Sequence, residues 1–293
     1  MTPLFTIGLP VYNAGPFLED ALRSIFAQTF SDWELIAVDD GSRDGSVEVL
    51  RQLKDPRVRV LVDGEHRGLG ARLNQIVLQA AGRYIARMDA DDMMHPERLV
   101  RQFAFLDDHP EVDVAGCGLI SFDAHCRPTS ARRLPAGHAE IIADPLTGFR
   151  IAHASTVGRT DWWREHPYNE RNRGCEDWEL WFGSRGDSRF ANLADPLYFY
   201  REEQAFSFGG YARDKAELAA LLWSDRAELG TLNAAAAATA HWVRIGVYGL
   251  AHVIGLEQRL VRRRGEPVTD AEAAVFHQAL ERIRATELPL TGR

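Results

Sequence analysis

Short apolar runs alternate with segments of helical periodicity over about the first 120 residues, and this alternation limits the fold more than any other feature of the sequence. The runs are short and end in turn-forming residues, so they predict strands. Strands that alternate with helices form a mainly parallel sheet that helices cover on both faces. The predicted strands are 4–9, 33–38, 58–62, 84–88 and 112–120, and the predicted helices are 14–28, 46–53, 69–80 and 96–106.

Acidic residues follow two of the predicted strands. Asp39 and Asp40 come directly after the second strand, and Asp89, Asp91 and Asp92 come directly after the fourth. Ligands of open α/β sheets bind beyond the carboxyl ends of the strands. We therefore expect both acidic clusters to face one crevice.

The cluster around Asp89 holds three acids within four positions, where each negative charge disfavours ionisation of the others. Mg²⁺ and Mn²⁺ bind one or two carboxylates together with phosphate oxygens and water, so Asp89 and Asp91 are candidate metal ligands. The alternatives are a solvated turn, or a cap that Asp92 provides for the helix that begins near Pro96.

The turn Asp39-Asp40-Gly41-Ser42 also allows two interpretations. A carboxylate there could accept a hydrogen bond from a nucleobase N–H or a ribose hydroxyl. Alternatively, the acids serve only the turn and the cap of the following helix, helped by Gly41, Ser42 and Asp44.

A third acidic pair, Glu176-Asp177, stands in the aromatic sequence GCEDWELW beside Trp178. A partly buried carboxylate gains basicity because burial disfavours its charge, and this suits a general base. The alternative is a pair of acids at a helix N-terminus, where the helix dipole favours negative charge.

These motifs together resemble the inverting family 2 glycosyltransferases of the GT-A fold. The resemblance covers roughly residues 4–207, in the family's order. It implies a Rossmann-like α/β domain over residues 1–205. Beyond about residue 206 helix formers dominate, including the alanine run at 234–238, and predict a helical C-terminal appendage over 206–293. The matching stretches are IGLPVYNAGPFLEDALRSIFAQTFSDWELIAVDDGSRDGS, HRGLGARLNQIVLQAAGRYIARMDADDMMHPERL, HASTVGRTDWW, GCEDWELW and LYFYREEQAFS.

The resemblance implies a nucleotide-sugar donor and a role for each donor-side residue. Asp39 would take the imide N–H of a uracil or thymine base, although GDP donors also occur among relatives. Asp91 would ligate a Mg²⁺ or Mn²⁺ ion that bridges the two phosphates, and Asp89 would hold the sugar, the ribose or a metal-bound water. The other implied donor-side residues are Pro10, Val11, Tyr12, Asp40, Arg67, Arg72 and Ala90. Arg72 also fits a surface position on a helix.

The resemblance further implies that Asp177 is the general base, with Glu176 as its helper. The acceptor hydroxyl would attack opposite the diphosphate and invert the anomeric centre in one step. Trp178 and His153 would line the acceptor side, although His153 equally suits a hydrogen-bonded structural histidine. The acceptor would be a glycan or a lipid-linked glycan of a bacterial surface polysaccharide.

Two departures from the family pattern limit what the resemblance implies. A His frequently follows the YR of the closing strand, whereas here Arg201 is followed by Glu202, Glu203 and Gln204, so a role for that His is in doubt. The QxxRW motif of processive synthases and their membrane spans are absent, which favours a single addition.

Composition and charge exclude several other classes. The net charge of −8 argues against a general nucleic-acid binder with a basic face. The three cysteines lack a CxxC spacing, and the sequence lacks a signal peptide or a long apolar span, so we expect a cytoplasmic chain. A phospho-receiver domain would need a lysine near a late strand, and a dinucleotide-dependent oxidoreductase would need a third glycine after Gly68 and Gly70. A non-catalytic nucleotide-sugar-binding protein of the same fold is the main alternative.

The segment 241–264 combines an apolar stripe with arginines at positions 259 and 262–264. Such a segment could contact anionic lipid at the inner membrane face. Packing as a core helix on the transferase domain is the commoner fate of an apolar stripe and is favoured here. The sequence leaves homo-oligomer formation open.

Overall fold

The computed structural model describes residues 2–172, 174–202, 208–255 and 265–291. Within these residues one mixed sheet of nine strands forms the centre of the molecule. The strands are β1 (Phe5–Val11), β2 (Trp33–Asp39), β3 (Val58–Val62), β4 (Tyr84–Arg87), β5 (Met93–Met94), β6 (Val114–Phe122), β7 (Pro128–Arg132), β8 (Val157–Arg159) and β9 (Phe190–Arg201).

The described α-helices divide between those that cover the sheet and a C-terminal group. The first group is α1 (Leu18–Phe26), α2 (Ser46–Gln52), α3 (Leu69–Gln79), α4 (Arg98–Asp108), α5 (His138–Ile141), α6 (Thr160–Glu165) and α7 (Glu176–Ser184). The second is α8 (Phe208–Ser224), α9 (Arg226–Leu229), α10 (Thr231–Val253) and α11 (Asp270–Ala285).

The sheet has the order β3-β2-β1-β4-β8-β6-β9-β5, and β7 pairs with β6. Strands β3, β2, β1 and β4 are parallel, and β6 is parallel to β9. Helices lie on both faces: Leu22 and Leu99 belong to one buried cluster, and Ile76 and Trp181 belong to another. The predicted mainly parallel sheet with helices on both faces is therefore confirmed.

The second half of the sheet was not predicted in detail. Strand β8 runs antiparallel between β4 and β6, and β9 crosses a region that the sequence left irregular. Apolar alternation fails in β9 because Asp195 is exposed and Pro196 interrupts the ladder, where the register with β6 shifts at Gly118. These strands extend the parallel half and carry the chain back beside the acidic loop after β4.

The C-terminal region is helical, as predicted, but its last helix returns to the sheet. Phe276 of α11 contacts Phe199 and Phe122, with ring centroids 5.0 and 5.4 Å apart. Helices α8 and α10 pack against each other beside α7. The boundary between residues 205 and 206 stays a prediction. Among the described helices, none has the length and apolar character that a membrane crossing needs.

Candidate active site

A cavity of about 680 Å³ opens at the carboxyl ends of β1, β2 and β4. The two predicted acidic clusters meet here, because the parallel strands bring their ends to one edge of the sheet. The N-termini of α3 and α7 and part of α8 complete the wall. The lining residues are Pro10, Val11, Tyr12, Ala14, Asp40, His66, Gly68, Leu69, Arg72, Asp89, Ala90, Asp91, Gly174, Glu176, Arg213 and Asp214.

The loop after β4 is held from two sides. Both oxygens of Asp89 pair with the guanidinium of Arg87, at 2.9 and 3.0 Å. Arg201 of β9 donates from Nε to the backbone carbonyl of Asp91 at 2.8 Å and from its backbone N–H to Asp92 at 2.8 Å. Asp92 therefore binds β9 and does not cap α4, whose N-cap residue is Glu97. That alternative for Asp92 is wrong.

The carboxyl group of Asp91 is harder to ionise than a solvated one. Burial, together with the negative charge of Asp89, raises the pKa of Asp91 to about 6. A carboxylate that loses solvation in this way is stabilised by a bound cation.

The two acids of the turn after β2, Asp39 and Asp40, have different contacts. Asp39 is buried, lies outside the cavity lining and accepts hydrogen bonds from the backbone N–H groups of Gly41 at 2.9 Å and Ser42 at 3.1 Å. Gly41 has a φ of +78°, and a Cβ there would lie 3.1 Å from the backbone of Glu65. The contacts of Asp39 are those of a turn, and its role toward a nucleobase stays a prediction.

Asp40 holds the start of α3. Its carboxylate accepts from the backbone N–H groups of Arg67 at 2.7 Å and Gly68 at 3.0 Å, and from Nε of Arg72 at 2.8 Å. Arg72 is fully buried and also pairs with Asp63. The surface-position alternative for Arg72 is wrong, because its charge is enclosed by acids of neighbouring loops.

The mouth of the cavity presents a half-exposed aromatic ring. Tyr12 is 51% exposed, and its ring stacks on His66 with centroids 4.4 Å apart. His66 in turn lies 2.9 Å from Asp40. A flat, partly exposed ring is suited to stacking against a planar ligand.

The pair Glu176-Asp177 lies at the N-terminus of α7, between two cavities. Glu176 lines the 680 Å³ cavity, whereas Asp177 lines a neighbouring cavity of about 320 Å³. Both cavities share Gly174 and Asp214. Burial, then the charge of Asp177, raises the pKa of Glu176 to about 7, and burial also raises the pKa of Asp177. Either carboxylate is thus more basic than a solvated one.

The two residues predicted for the acceptor side, Trp178 and His153, do not lie together. Trp178 lines the smaller cavity and donates from Nε1 to the Pro145 carbonyl at 2.8 Å. His153 lines neither cavity; it is buried, and its Nε2 lies 2.6 Å from the Tyr168 hydroxyl. Burial, then the charge of Arg87, lowers the pKa of His153 well below its usual value. The contacts of His153 are those of a hydrogen-bonded structural histidine.

The sequence analysis missed three residues that line the cavity: Arg213, Asp214 and His66. Arg213 and Asp214 come from α8, which lies outside every recognised motif. His66 could have been found from its place directly before Arg67 in the HRGLG segment. Arg67 itself contributes a backbone contact to Asp40, while its guanidinium lies outside the cavity lining, 3.5 Å from Glu170.

The donor set fits a divalent cation shared with a ligand. Within the described ranges, no three or more His, Cys, Asp or Glu side chains gather as a metal site. Two carboxylates, Asp89 and Asp91, suit an ion that takes its other ligands from phosphate and water. Arg87 pairs with both oxygens of Asp89, so that carboxylate would offer a cation only its remaining lone pairs.

Comparison with known proteins shows the family of the chain. The sequence profile of glycosyl transferase family 2 matches residues 6–188, more than half of the chain. The chain belongs to this family. EpsE of Bacillus subtilis is 32% identical to this family 2 transferase over 215 residues, which are 69% of this chain and 74% of EpsE. The amylovoran biosynthesis glycosyltransferase AmsE of Erwinia amylovora is 30% identical over 198 residues, 66% of this chain and 72% of AmsE.

Solved structures support the fold of this family 2 transferase. TarS residues 1–349 of S. aureus, in complex with UDP-GlcNAc, is 18% identical, with a TM-score of 0.58 over 97% of this chain and 90% of TarS 1–349. The mannosyltransferase PcManGT of Pyrobaculum calidifontis, in complex with GDP-Man and Mn²⁺, is 16% identical, with a TM-score of 0.59 over 97% and 88%. Some curated relatives match over less of their length, 42% for TuaG of B. subtilis and 14% for pgtA of Dictyostelium discoideum.

Proposed function

We propose that this family 2 transferase moves one sugar from a nucleoside-diphosphate donor to an acceptor hydroxyl and inverts the anomeric centre. The observation that carries the proposal is the meeting of three remote segments at one cavity. Asp40, Asp91 and Glu176, which are far apart in the chain, all line it. A protein that only binds the donor would need no general base. Here the Glu176-Asp177 pair, whose pKa values are raised, adjoins the donor side of the cavity.

The donor nucleotide is assigned to the β1 and β2 side of the cavity. Tyr12 offers a stacking surface for the base, and Pro10 and Val11 line the adjacent wall. Asp39 is buried, lies outside the cavity lining and already accepts from two backbone N–H groups, so the base is assigned to Tyr12 and the adjacent wall. We propose a UDP or dTDP donor, in keeping with the UDP-GlcNAc complex of TarS.

The diphosphate is assigned to the loop after β4. Asp91, with Asp89 beside it, would hold Mg²⁺ or Mn²⁺ there, and PcManGT is a fold neighbour with Mn²⁺ bound. Such an ion stabilises negative charge on a leaving diphosphate. Arg87 and Arg201 fix the loop so that its carboxylates stay at the cavity wall.

The acceptor is assigned to the smaller cavity, which Asp177 and Trp178 line. Asp177 removes the proton from the acceptor hydroxyl while that oxygen forms a bond to the anomeric carbon. The bond between that carbon and the diphosphate oxygen breaks on the opposite face, and its electron pair leaves with the diphosphate. Glu176 lies on the donor side of the same pair and assists through its charge.

The acceptor class is a glycan, free or lipid-linked, of a bacterial surface polysaccharide. AmsE, named for amylovoran biosynthesis, supports this setting. Helix α10 supports peripheral contact with a membrane at its inner face. Val243, Val247, Leu250 and Ile254 are between 52% and 65% exposed along one stripe, whereas Tyr248 and His252 of the same segment stack on Tyr211 and Phe208 of α8.

The charge of this region suits an anionic lipid surface. The sequence from Thr231 to Gly255 contains Arg244 and no acidic residue, in a chain of net charge −8. The arginines at 259 and 262–264 lie outside the described residues. Flotation with vesicles of phosphatidylcholine, with and without phosphatidylglycerol, tests the contact. The triple variant V243S/V247S/L250S should lose binding and L78S, at an exposed apolar site of α3, should keep it; equal flotation of the two variants would contradict the contact.

A panel of UDP-, dTDP- and GDP-sugars tests the function itself. Bound donor raises the melting temperature by mass action, and the size of the rise ranks the donors. The rise should need Mn²⁺ or Mg²⁺ and should be largest for a UDP- or dTDP-sugar. Release of the nucleoside diphosphate in the presence of bacterial glycan acceptors then measures transfer. No stabilisation by any donor would overturn the proposed function.

A further inference from the structure

Arg213 of α8 is a largely exposed cation on the wall of the 680 Å³ cavity. Its side chain is 70% exposed and pairs with the adjacent Asp214, at 3.9 Å between Nε of Arg213 and Oδ1 of Asp214. An exposed ion pair of this kind contributes little to stability. Because a guanidinium has more N–H donors than one such pair can use, Arg213 keeps hydrogen-bond donors for a ligand that enters the cavity.

The other basic side chains described in this lining are already held by buried acids. Arg72 is fully buried and pairs with Asp40 and Asp63. His66 lies 2.9 Å from the Asp40 carboxylate, and its ring stacks on Tyr12. Arg213 differs from both, since the acid with which it pairs is partly exposed. Its positive charge therefore remains available to an anionic ligand.

The backbone of α8 is held beside the acidic pair at the start of α7, and this brings Arg213 to the cavity. Sγ of Cys175, the residue before the pair, donates to the backbone carbonyl of Asp214 at 3.1 Å. A Cβ at Gly174 would lie 2.8 Å from a carboxylate oxygen of Asp214, so the chain passes α8 closely at this glycine. A held backbone and an exposed side chain let Arg213 reach a bound ligand without a change in fold.

The proposed reaction places new negative charge in this cavity. When the bond between the anomeric carbon and the diphosphate oxygen breaks, its electron pair leaves with the diphosphate. Asp91, Glu176 and Asp214 also line the cavity and repel that charge when they are ionised. A divalent ion at Asp91 would offset part of it. A guanidinium that donates parallel hydrogen bonds to phosphate oxygens would offset more.

We propose that Arg213 is a further donor-binding residue, whose guanidinium contacts the diphosphate from the α8 side of the cavity. The contact holds the nucleoside diphosphate and stabilises the charge that it gains when the sugar leaves. A residue outside the acidic motifs thus binds the leaving group. The inference rests on the proposed function, which places the diphosphate in this cavity.

Binding of UDP and of uridine tests the contact, because only UDP carries the diphosphate. R213M removes the guanidinium from an exposed position, so the fold should remain intact. With Mn²⁺ present, the Kd of R213M for UDP should rise about tenfold or more, whereas its Kd for uridine should match that of wild type. Calorimetric titration measures both constants. An unchanged Kd for UDP, or an equal rise for uridine, would overturn the proposal.

The matched control is Arg226, an exposed arginine of the next helix, α9, that lies outside both cavity linings. Its guanidinium donates to the backbone carbonyl of Trp223 at 2.9 Å. R226M removes the same charge from the same region of the chain and should bind UDP as wild type does. An equal loss of UDP affinity in R226M would mean that net charge alone produces the effect, and the proposal would fail.

Two further measurements separate a direct contact from an effect on the metal site. At saturating Mn²⁺ the loss of UDP affinity in R213M should persist, and recovery of the wild-type Kd would mean that Arg213 acts through the ion. R213K keeps the charge but loses the planar fork, so its Kd for UDP should lie between those of wild type and R213M. A Kd as high as that of R213M would overturn the role of the charge. A wild-type chain that binds no UDP would instead overturn the nucleotide-sugar donor of the proposed function.

Discussion

Asp40 and Arg72 form a buried ion pair, with 2.8 Å between Oδ1 of Asp40 and Nε of Arg72. The pair joins the end of β2 to α3 and fixes one wall of the cavity. We expect R72M to reduce the free energy of unfolding by about 3–5 kcal/mol, because it leaves Asp40 buried with less compensation. Urea denaturation measures the loss. R101M, which removes an exposed arginine paired with Glu97 and Asp195, should cost about 1 kcal/mol or less, and equal losses would contradict the assignment.

The nucleotide side is tested at Tyr12. Its ring is half exposed, so Y12A should leave the fold intact and remove a stacking surface for the base. Stacking of a base on an aromatic ring contributes about 1–3 kcal/mol, which corresponds to a rise of about 5- to 150-fold in the Kd for the free nucleotide. Calorimetric titration with UDP measures the change. Y12F keeps the ring and should bind as wild type; unchanged binding by Y12A would place the base elsewhere.

The metal side is tested at Asp91. D91N removes the carboxylate proposed to ligate a divalent ion, so added Mn²⁺ should no longer increase the stabilisation by donor. Thermal unfolding with donor, with and without Mn²⁺, measures this. D63N, at an acid that pairs with Arg72 outside the cavity lining, should keep the metal effect. Retention of the effect in D91N would remove Asp91 from the metal site.

The parallel half of the fold and the meeting of its acidic clusters could be predicted from local sequence. The buried strands β2 and β4 are each followed by acids and then by a helix, so the edge on which Asp40 and Asp91 meet follows from chain order. The antiparallel strands β5 and β8 could not be predicted, because β5 has two residues and β8 has three, too few to carry a period.

The remaining parts of the site depend on tertiary packing. Arg213 and Asp214 reach the cavity only because α8 packs beside α7, and no local pattern encodes that placement. The same limit applies to the acidic pair: sequence order predicted that Glu176 and Asp177 act together. Only the folded chain assigns them to different cavities.

The assignment of Asp177 as the general base is tested by the variant D177N. D177N removes the carboxylate that lines the smaller cavity, so transfer should be lost while donor binding stays largely intact. Initial rates and the Kd for donor, measured on the same preparation, separate the two effects. D187N, at an exposed acid after α7 that lies outside both cavity linings, should retain transfer. Loss of donor binding in D177N would mean that Asp177 is structural.

Glu176 links the site to the stability of the whole chain. Its pKa is about 7 in the folded state against 4.5 for the ordinary side chain, so the folded state binds the proton more tightly than the unfolded state. This contribution to stability is complete below pH 4.5 and is lost as the pH rises through 7. The loss amounts to about 3 kcal/mol, since one pKa unit corresponds to 1.36 kcal/mol.

E176Q abolishes this titration and should therefore be more stable than wild type at pH 8, with a smaller difference at pH 5. Denaturant unfolding at both pH values measures the two differences. E179Q is the matched control on the same helix: it replaces an acid that bonds Asn169 and Asn172, and it should give no stabilisation at pH 8. A difference between E176Q and wild type that does not grow with pH would mean that Glu176 is ionised at low pH in the folded chain.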